Sequence, residues 1–196
     1  MKLTKTVKVL LIGLLAVSCE KENPEIPHEH EVFSNVSLTL VPIGGSDEIT
    51  FHWHDANGDL LVSNDEIENG SLVANTEYNA VISFNEQEEH DAHDLHDDDG
   101  HEDHEDLDLD AEILNESTEH QLFFSSVKGL KISYSDVDSN GSPIGLETTF
   151  VTDDSFEGGE LTITLRHEPI KNALGVASGD ITNAGGETDV EITFSL

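Results

Sequence analysis

The sequence is poor in basic residues, and this scarcity sets the first limits on function. Its 196 residues include 8 Lys and Arg against 42 Asp and Glu, which gives a formal net charge of −34. A chain of this charge repels the phosphates of nucleic acids and the headgroups of anionic lipids. We therefore exclude nucleic acid as a partner, whereas metal ions and basic proteins are compatible with the charge.

Sulfur-containing side chains are almost absent. The chain has one cysteine, Cys19, so it cannot form an intramolecular disulfide, and its one methionine is Met1. Both belong to the N-terminal segment, where we expect Met1 to be removed and the Cys19 thiol to be blocked. Without a thiolate or thioether as a soft ligand, the protein is unsuited to carry copper(I).

Long apolar runs and catalytic motifs are missing as well. After residue 18 no stretch is long and apolar enough to span a membrane. There is no Gly-x-Ser-x-Gly nucleophile elbow and no glycine-rich phosphate loop. Paired catalytic carboxylates cannot be picked out among so many acids. These absences predict that the protein is not an enzyme.

The N-terminus has the pattern of a bacterial lipoprotein signal peptide. Three lysines precede an apolar segment, residues 9–17, which leads into the sequence Ala-Val-Ser-Cys. In lipoproteins the peptide is cleaved before this cysteine, and the acyl chains then attached to it bind the membrane through their buried CH₂ groups. We predict a signal peptide over residues 1–18 and a lipidated Cys19 at the start of a flexible tether, residues 19–31.

Lipidation would anchor the protein to the outer membrane, on its periplasmic or its surface-exposed side. The alternative is an ordinary secretory signal that leaves Cys19 as a free thiol. Lipidation is favoured because Cys19 is the single cysteine and directly follows the apolar segment.

Short runs of alternating apolar and polar residues, separated by turn residues, fill most of the remaining chain. Such period-2 alternation is typical of β-strands. A Leu…Asn-Thr-x-Tyr sequence at residues 72–78 resembles the tyrosine corner of immunoglobulin-like sandwiches. We predict an all-β fold, a single immunoglobulin-like β-sandwich of eight or nine strands within residues 32–196. The strand-like runs lie at residues 36–41, 49–53, 80–84, 121–124, 130–134, 148–151, 161–165 and 190–196.

An acidic, histidine-rich segment, residues 86–119, interrupts this pattern. It holds 17 Asp or Glu and five histidines, and it lacks Lys, Arg, Pro and aromatic residues. With so few side chains to pack, it is predicted to be a disordered insert. Neutral imidazole binds zinc, copper(II) and nickel, and carboxylates can complete the shell. We predict several metal sites of modest affinity here, the alternative being a solvated spacer. The histidines are His90, His93, His96, His101 and His104.

A second candidate for metal binding is the pair His52 and His54. They alternate with apolar residues in a predicted strand, so both should project from its solvent-facing side. A His-x-His pair can supply two ligands of a zinc site. The third ligand could come from the insert, from His120 or from His167. The alternative is two ordinary surface histidines.

Residues 136–147 match the spacing of an EF-hand calcium loop. Asp136, Asp138 and Asn140 would supply monodentate oxygens, and Glu147 a bidentate pair. Predicted strands rather than helices flank the segment, and Asp, Asn and Gly also form ordinary hairpin turns. Because the spacing still matches, calcium is kept as an alternative to zinc as the bound ion.

Three segments carry a resemblance to a known family. They are Leu-Thr-Leu-Val-Pro-Ile-Gly-Gly at residues 38–45, Thr-Leu-Arg-His-Glu-Pro at 164–169 and the glycine-containing stretch 179–194. They resemble small acidic bacterial lipoproteins labelled "type 1 periplasmic-binding-fold superfamily", over about residues 33–84 and 119–196. That label names a fold of two α/β lobes, whereas this chain shows no βαβ alternation. Members of this family look like neighbours of outer-membrane receptors. The resemblance therefore implies a role in the uptake of a small solute or metal.

These observations predict a lipid-anchored β-sandwich of the cell envelope that binds divalent metal as an accessory to an outer-membrane receptor. Zinc is the first expectation, followed by copper(II) and nickel. One alternative is a surface binding module for a sugar, peptide or protein partner, which predicts an exposed aromatic patch. The other is a structural envelope protein stabilised by calcium.

Overall fold

The structure, a computed structural model, describes residues 33–55, 66–85 and 109–196. Several predictions lie outside these residues and stay predictions: the signal peptide, the lipidation of Cys19, the tether, and metal binding by the five histidines between residues 90 and 104. No helix in the described part of the chain is long and apolar enough to cross a membrane.

Strands dominate the described residues, and all except β3 overlap the runs in which the alternating pattern predicted strands. One short α-helix and two 3₁₀ turns accompany them. The strands are β1 (Asn35–Pro42), β2 (Ile49–His54), β3 (Glu66–Glu68), β4 (Glu77–Asn85), β5 (His120–Phe124), β6 (Leu130–Tyr134), β7 (Glu147–Thr152), β8 (Glu160–His167) and β9 (Glu187–Ser195). The helix α1 spans Leu109–Asn115, and the 3₁₀ turns span Val176–Ser178 and Ile181–Asn183.

The strands form two sheets in which all neighbours are antiparallel. The larger sheet has the order β3-β2-β1-β4-β7-β6, and the smaller has the order β5-β8-β9. The predicted all-β class is confirmed. In the smaller sheet β8 is the central strand and pairs with both β5 and β9.

The larger of two apolar clusters in the described residues joins the two sheets. On β1, β4 and β9 the buried residues alternate with exposed or half-buried ones, as the period-2 pattern requires. Burying a large apolar side chain of this kind contributes roughly 1.5–3 kcal/mol relative to leaving it exposed. The inward residues include Val36, Leu38, Phe51, Trp53, Ile82, Phe84 and Phe150 from the larger sheet, and Leu122, Leu161, Ile163, Leu165, Ile192 and Phe194 from the smaller.

Tyr78 is the second residue of β4 and lies where the chain enters this strand. Its ring is fully buried, and its hydroxyl oxygen accepts a hydrogen bond from the Val73 N–H at 2.8 Å. A buried tyrosine that bonds to the backbone a few residues upstream is the contact expected of a tyrosine corner. It gives the phenol oxygen a partner and fixes the path of the chain into β4.

The prediction of disorder throughout residues 86–119 is wrong for its C-terminal part. Leu109 and Ile113 lie one helical turn apart in α1, and both are buried in the core. Asp110 accepts a hydrogen bond from the Phe84 N–H at 2.7 Å and so supplies a partner at the end of β4. The few apolar residues of this part were enough to dock one helical turn against the sheet, which the acidic composition concealed.

Truncation of Ile113 tests the role of α1. Ile113→Ala is expected to lower the free energy of unfolding by about 2–5 kcal/mol, since the side chain is 0% exposed and its removal leaves a cavity. Leu114→Ala is the matched control. Leu114 is 53% exposed, so its truncation should change stability by no more than about 0.5 kcal/mol. Urea unfolding measures both, and equal small effects would contradict the docking of α1.

Candidate metal centre

Two histidines face each other across the smaller sheet. His120 is the first residue of β5, His167 is the last residue of β8, and the two are directly paired in the register of these strands. Their ring centroids are 4.7 Å apart. They share the inward parity of Leu122 and Leu165, so they lie at the end of the apolar core rather than on the outer face of the sheet.

A β-bulge in β9 brings a carboxylate to the same place. Leu165 pairs with Val190 and Arg166 pairs with Thr188, which leaves Asp189 as the extra residue. The Arg166 Nη1 donates to Thr188 Oγ1 at 2.6 Å, so these two side chains share one face. The Asp189 carboxylate instead approaches the histidines. Bulges re-aim side chains in this way and are common beside functional sites.

The three side chains have nearly the geometry of a metal site. His120 Nε2 lies 3.8 Å from Asp189 Oδ2, and His167 Nδ1 lies 3.9 Å from Asp189 Oδ1. In a tetrahedral zinc site with bonds of 2.0–2.2 Å, neighbouring ligand atoms are about 3.4 Å apart. The ligand atoms of all three residues lie within 4.8 Å of one another, so they would have to move closer together to bind an ion.

The hydrogen bonding of His120 leaves a lone pair for a metal. Its Nδ1 lies 3.3 Å from the Glu116 carbonyl oxygen, which can only accept, so Nδ1 carries the proton of the neutral ring. Nε2 is buried and has no hydrogen-bond partner among the described residues. Ligand histidines usually donate their other N–H to such an acceptor, which orients the ring.

The local electrostatics favour neutral His120. Burial, and then the neighbouring His167, lower the pKa of His120 below its ordinary value of 6.5. A neutral imidazole is the form that binds metal. Its lone pair points toward a carboxylate oxygen, so a cation between them would be attracted to both atoms.

A second group of possible ligands shares His167. It consists of Glu119, His167 and Glu168, whose ligand atoms all lie within 4.8 Å of one another. Both glutamates are exposed, whereas His120 is 0%, Asp189 9% and His167 23% exposed. The two groups thus run from the surface into the protein.

The structure does not bring His52 and His54 to this centre. They lie half-buried on β2 of the larger sheet, across from Glu68 and Glu66 of β3. His54 Nδ1 lies 3.0 Å from Asn35 Oδ1. Within the described residues, neither histidine belongs to a group of three or more closely spaced metal-binding side chains.

The predicted calcium loop holds a lysine in place of an ion. Lys171 Nζ lies 3.0 Å from both Asp138 Oδ2 and the Pro143 carbonyl oxygen, and it also donates to the Ser117 carbonyl. Burial raises the pKa of Asp138, but Lys171 and backbone N–H donors outweigh it and hold the pKa below its usual range. The ammonium group already supplies the positive charge that this carboxylate needs.

A second carboxylate of that loop, Asp136, accepts hydrogen bonds from the backbone. Asp136 accepts hydrogen bonds from the N–H groups of Gly145 and Glu147 at 2.8 and 3.0 Å. The Asp136 and Asp138 carboxylates thus already have partners, and calcium binding by Asp136, Asp138, Asn140 and Glu147 stays a prediction. Their spacing produces a turn that is closed by its own hydrogen bonds.

Sequence analysis named His120 and His167 only as possible third ligands and missed Asp189. If β9 alternated regularly, Asp189 would lie on its outward face, because the neighbouring Val190 faces inward. The bulge reverses that expectation, and a register shift leaves no clear mark in a single sequence. The pairing of His120 with His167 likewise depends on which strands become neighbours.

Replacement of Lys171 tests the internal ion pair. Lys171→Met is expected to destabilise the protein by about 3–5 kcal/mol, because it leaves the Asp138 carboxylate buried without its counter-charge. Lys131→Met, at an exposed position of β6, is the control and should change stability by about 0.5 kcal/mol or less. Adding Asp138→Asn to Lys171→Met should restore part of the loss. Thermal melting measures all three, and a Lys171→Met variant as stable as its control would contradict the pair's role.

Comparison of the chain with protein-family models, with curated proteins and with solved structures found no match.

Proposed function

We propose that this protein is a lipid-anchored protein of the cell envelope that binds a divalent transition-metal ion at His120, His167 and Asp189. The observation that carries the proposal is the His120 Nε2 atom, which is buried, has no hydrogen-bond partner among the described residues and faces Asp189. Burying such a group without a partner costs free energy. A bound metal ion would recover that cost.

The ligand set favours zinc, with copper(II) and nickel next. Two imidazoles and one carboxylate are borderline ligands that suit these ions, whereas calcium and magnesium prefer shells made only of oxygen. Three protein ligands leave a fourth position for water or for a ligand from a partner. The proposed role is to bind and hand over metal rather than to catalyse a reaction.

The segments outside the described residues supply the rest of the proposal. A lipidated Cys19 would hold the protein at the outer membrane, and the acidic insert with its five histidines would raise the local concentration of metal ions. The resemblance to lipoproteins beside outer-membrane receptors supports a role in metal uptake through such a receptor. We assign the domain to the immunoglobulin-like sandwiches, on the basis of its two antiparallel sheets and the Tyr78 contact.

A metal titration tests the proposed site. Calorimetry with zinc is expected to show one strong site and several weaker ones. Asp189→Asn should weaken the strong site about 10–100-fold, because it removes the charge of a ligand. Asp154→Asn is the control, since Asp154 is exposed and not part of either ligand group.

Substitution of the five insert histidines by asparagine, in the full-length chain, separates the two kinds of site. The weaker sites should disappear while the strong one persists. If wild type and Asp189→Asn give the same zinc isotherm, the metal does not bind at this centre.

A cleft beside β6 supports a second candidate function, the binding of a sugar or peptide. The cleft has a volume of about 500 Å³, and its lining includes Phe124, Lys131, Tyr134 and Asp180. The Tyr134 hydroxyl donates to the Leu122 carbonyl at 2.7 Å, and burial raises the pKa of Tyr134 to about 12. A fixed aromatic ring beside charged groups is a common arrangement in ligand sites.

A glycan or peptide binder would use this cleft rather than the histidines. On that hypothesis Tyr134→Ala should abolish ligand-induced chemical-shift changes in an NMR screen with soluble oligosaccharides and peptides. Asp189→Asn should leave those changes intact. The absence of any shift at Phe124, Lys131 or Asp180 in the wild-type screen would exclude the ligands tested.

A further inference from the structure

The exposed and the buried ligand groups meet at one residue, His167. The buried group adds His120 and Asp189, and the exposed group adds Glu119 and Glu168. Glu119 directly precedes His120 at the start of β5, and Glu168 directly follows His167 at the end of β8. At each of these strand ends an exposed glutamate is therefore next to a histidine. The exposed and the buried ligand groups are therefore adjacent, at the same ends of β5 and β8.

The backbone around Glu168 is built to hold this arrangement. Glu168 N–H donates to the Glu119 carbonyl at 2.6 Å, which extends the β5–β8 ladder beyond His167. Its φ angle of 49° lies in the left-handed region that non-glycine residues rarely adopt. A Cβ added to Gly186 would clash with the His167 carbonyl oxygen, so the chain packs closely against this turn. Strained backbone that is held in this way is concentrated at functional sites.

Burial gives the two groups different access to solvent. His120 is 0% exposed, so a hydrated ion cannot reach it directly. Glu119 and Glu168 are exposed, and His167 is partly exposed between them and the interior. A metal ion from solvent therefore meets the carboxylates first.

The difference in ligand atoms between the outer and the inner group favours movement of the metal ion toward the inner group. The outer group offers two carboxylates and one imidazole, and the inner group offers two imidazoles and one carboxylate. Carboxylates suit hydrated, hard cations, whereas imidazole suits zinc, copper(II) and nickel. A transition-metal ion that exchanges its ligands one at a time would gain a nitrogen ligand at the inner position.

We propose that Glu119 and Glu168 form a capture site at which a divalent transition-metal ion is held before His167 passes it to the buried position beside His120 and Asp189. This inference rests on the proposed function, because it assumes that the buried group binds metal. The capture site sets the rate of loading and unloading, and the buried group sets the affinity.

Stopped-flow measurements on the full-length chain test the route. The insert histidines are replaced by asparagine so that the buried site dominates the signal, and cobalt(II) is the probe because its visible absorption reports coordination. The double variant Glu119→Gln with Glu168→Gln is expected to slow both association and dissociation about tenfold, with unchanged equilibrium affinity. A site that lies on the path affects both directions equally.

The matched control is Glu157→Gln with Glu160→Gln. Both residues are exposed, and the control removes the same charge at a distance from the histidines. It should load at the wild-type rate. Circular dichroism melts of both double variants confirm that they are folded.

Each remaining outcome separates the capture site from the metal centre. Wild-type rates in Glu119→Gln with Glu168→Gln would overturn the capture site and leave the metal centre intact. Faster dissociation with weaker affinity would overturn it as well, since the glutamates would then be ligands of the resting ion. Cobalt binding that is insensitive to Asp189→Asn would overturn the metal centre itself.

Discussion

The pairing of β8 with both β5 and β9 is the constraint on which the candidate metal centre depends. It places His120 beside His167, and the bulge in β9 adds Asp189 from the other side. None of the three is close to the others in sequence, so only the sheet brings them together. The apolar core lies beneath them, and the buried His120 Nε2 has no hydrogen-bond partner among the described residues.

Because the chain has few basic residues, a buried cation is important for the charge balance of the interior. Lys171 is almost the only basic group in the buried interior of the described residues, and it lies among the oxygens of a loop whose spacing suggested calcium. At the strand ends nearby, the Asp189 carboxylate lies 3.8 Å from the buried His120 Nε2. The chain thus compensates the Asp138 carboxylate with its own lysine, and Asp189 is the carboxylate that we propose to bind a metal ion.

Much of the fold could be predicted from alternation alone. The runs at Val36–Leu40 and Leu161–Leu165 became strands because period-2 patterning matches the two faces of a sheet. The docking of Leu109 and Ile113 was missed, because two apolar residues among many acids give a weak local signal. Metal binding by His52 and His54 stays a prediction, since the spacing of two histidines on one strand does not specify a third ligand.

The sequence by itself determined the all-β class, the strong negative charge and the supply of imidazole and carboxylate groups. These follow from local composition and from periodicity, which do not depend on distant parts of the chain. Only the tertiary structure decided which groups meet. Strand order, register and the bulge at Asp189 depend on contacts between residues far apart in sequence, and a shift of one residue reverses the face on which a side chain lies.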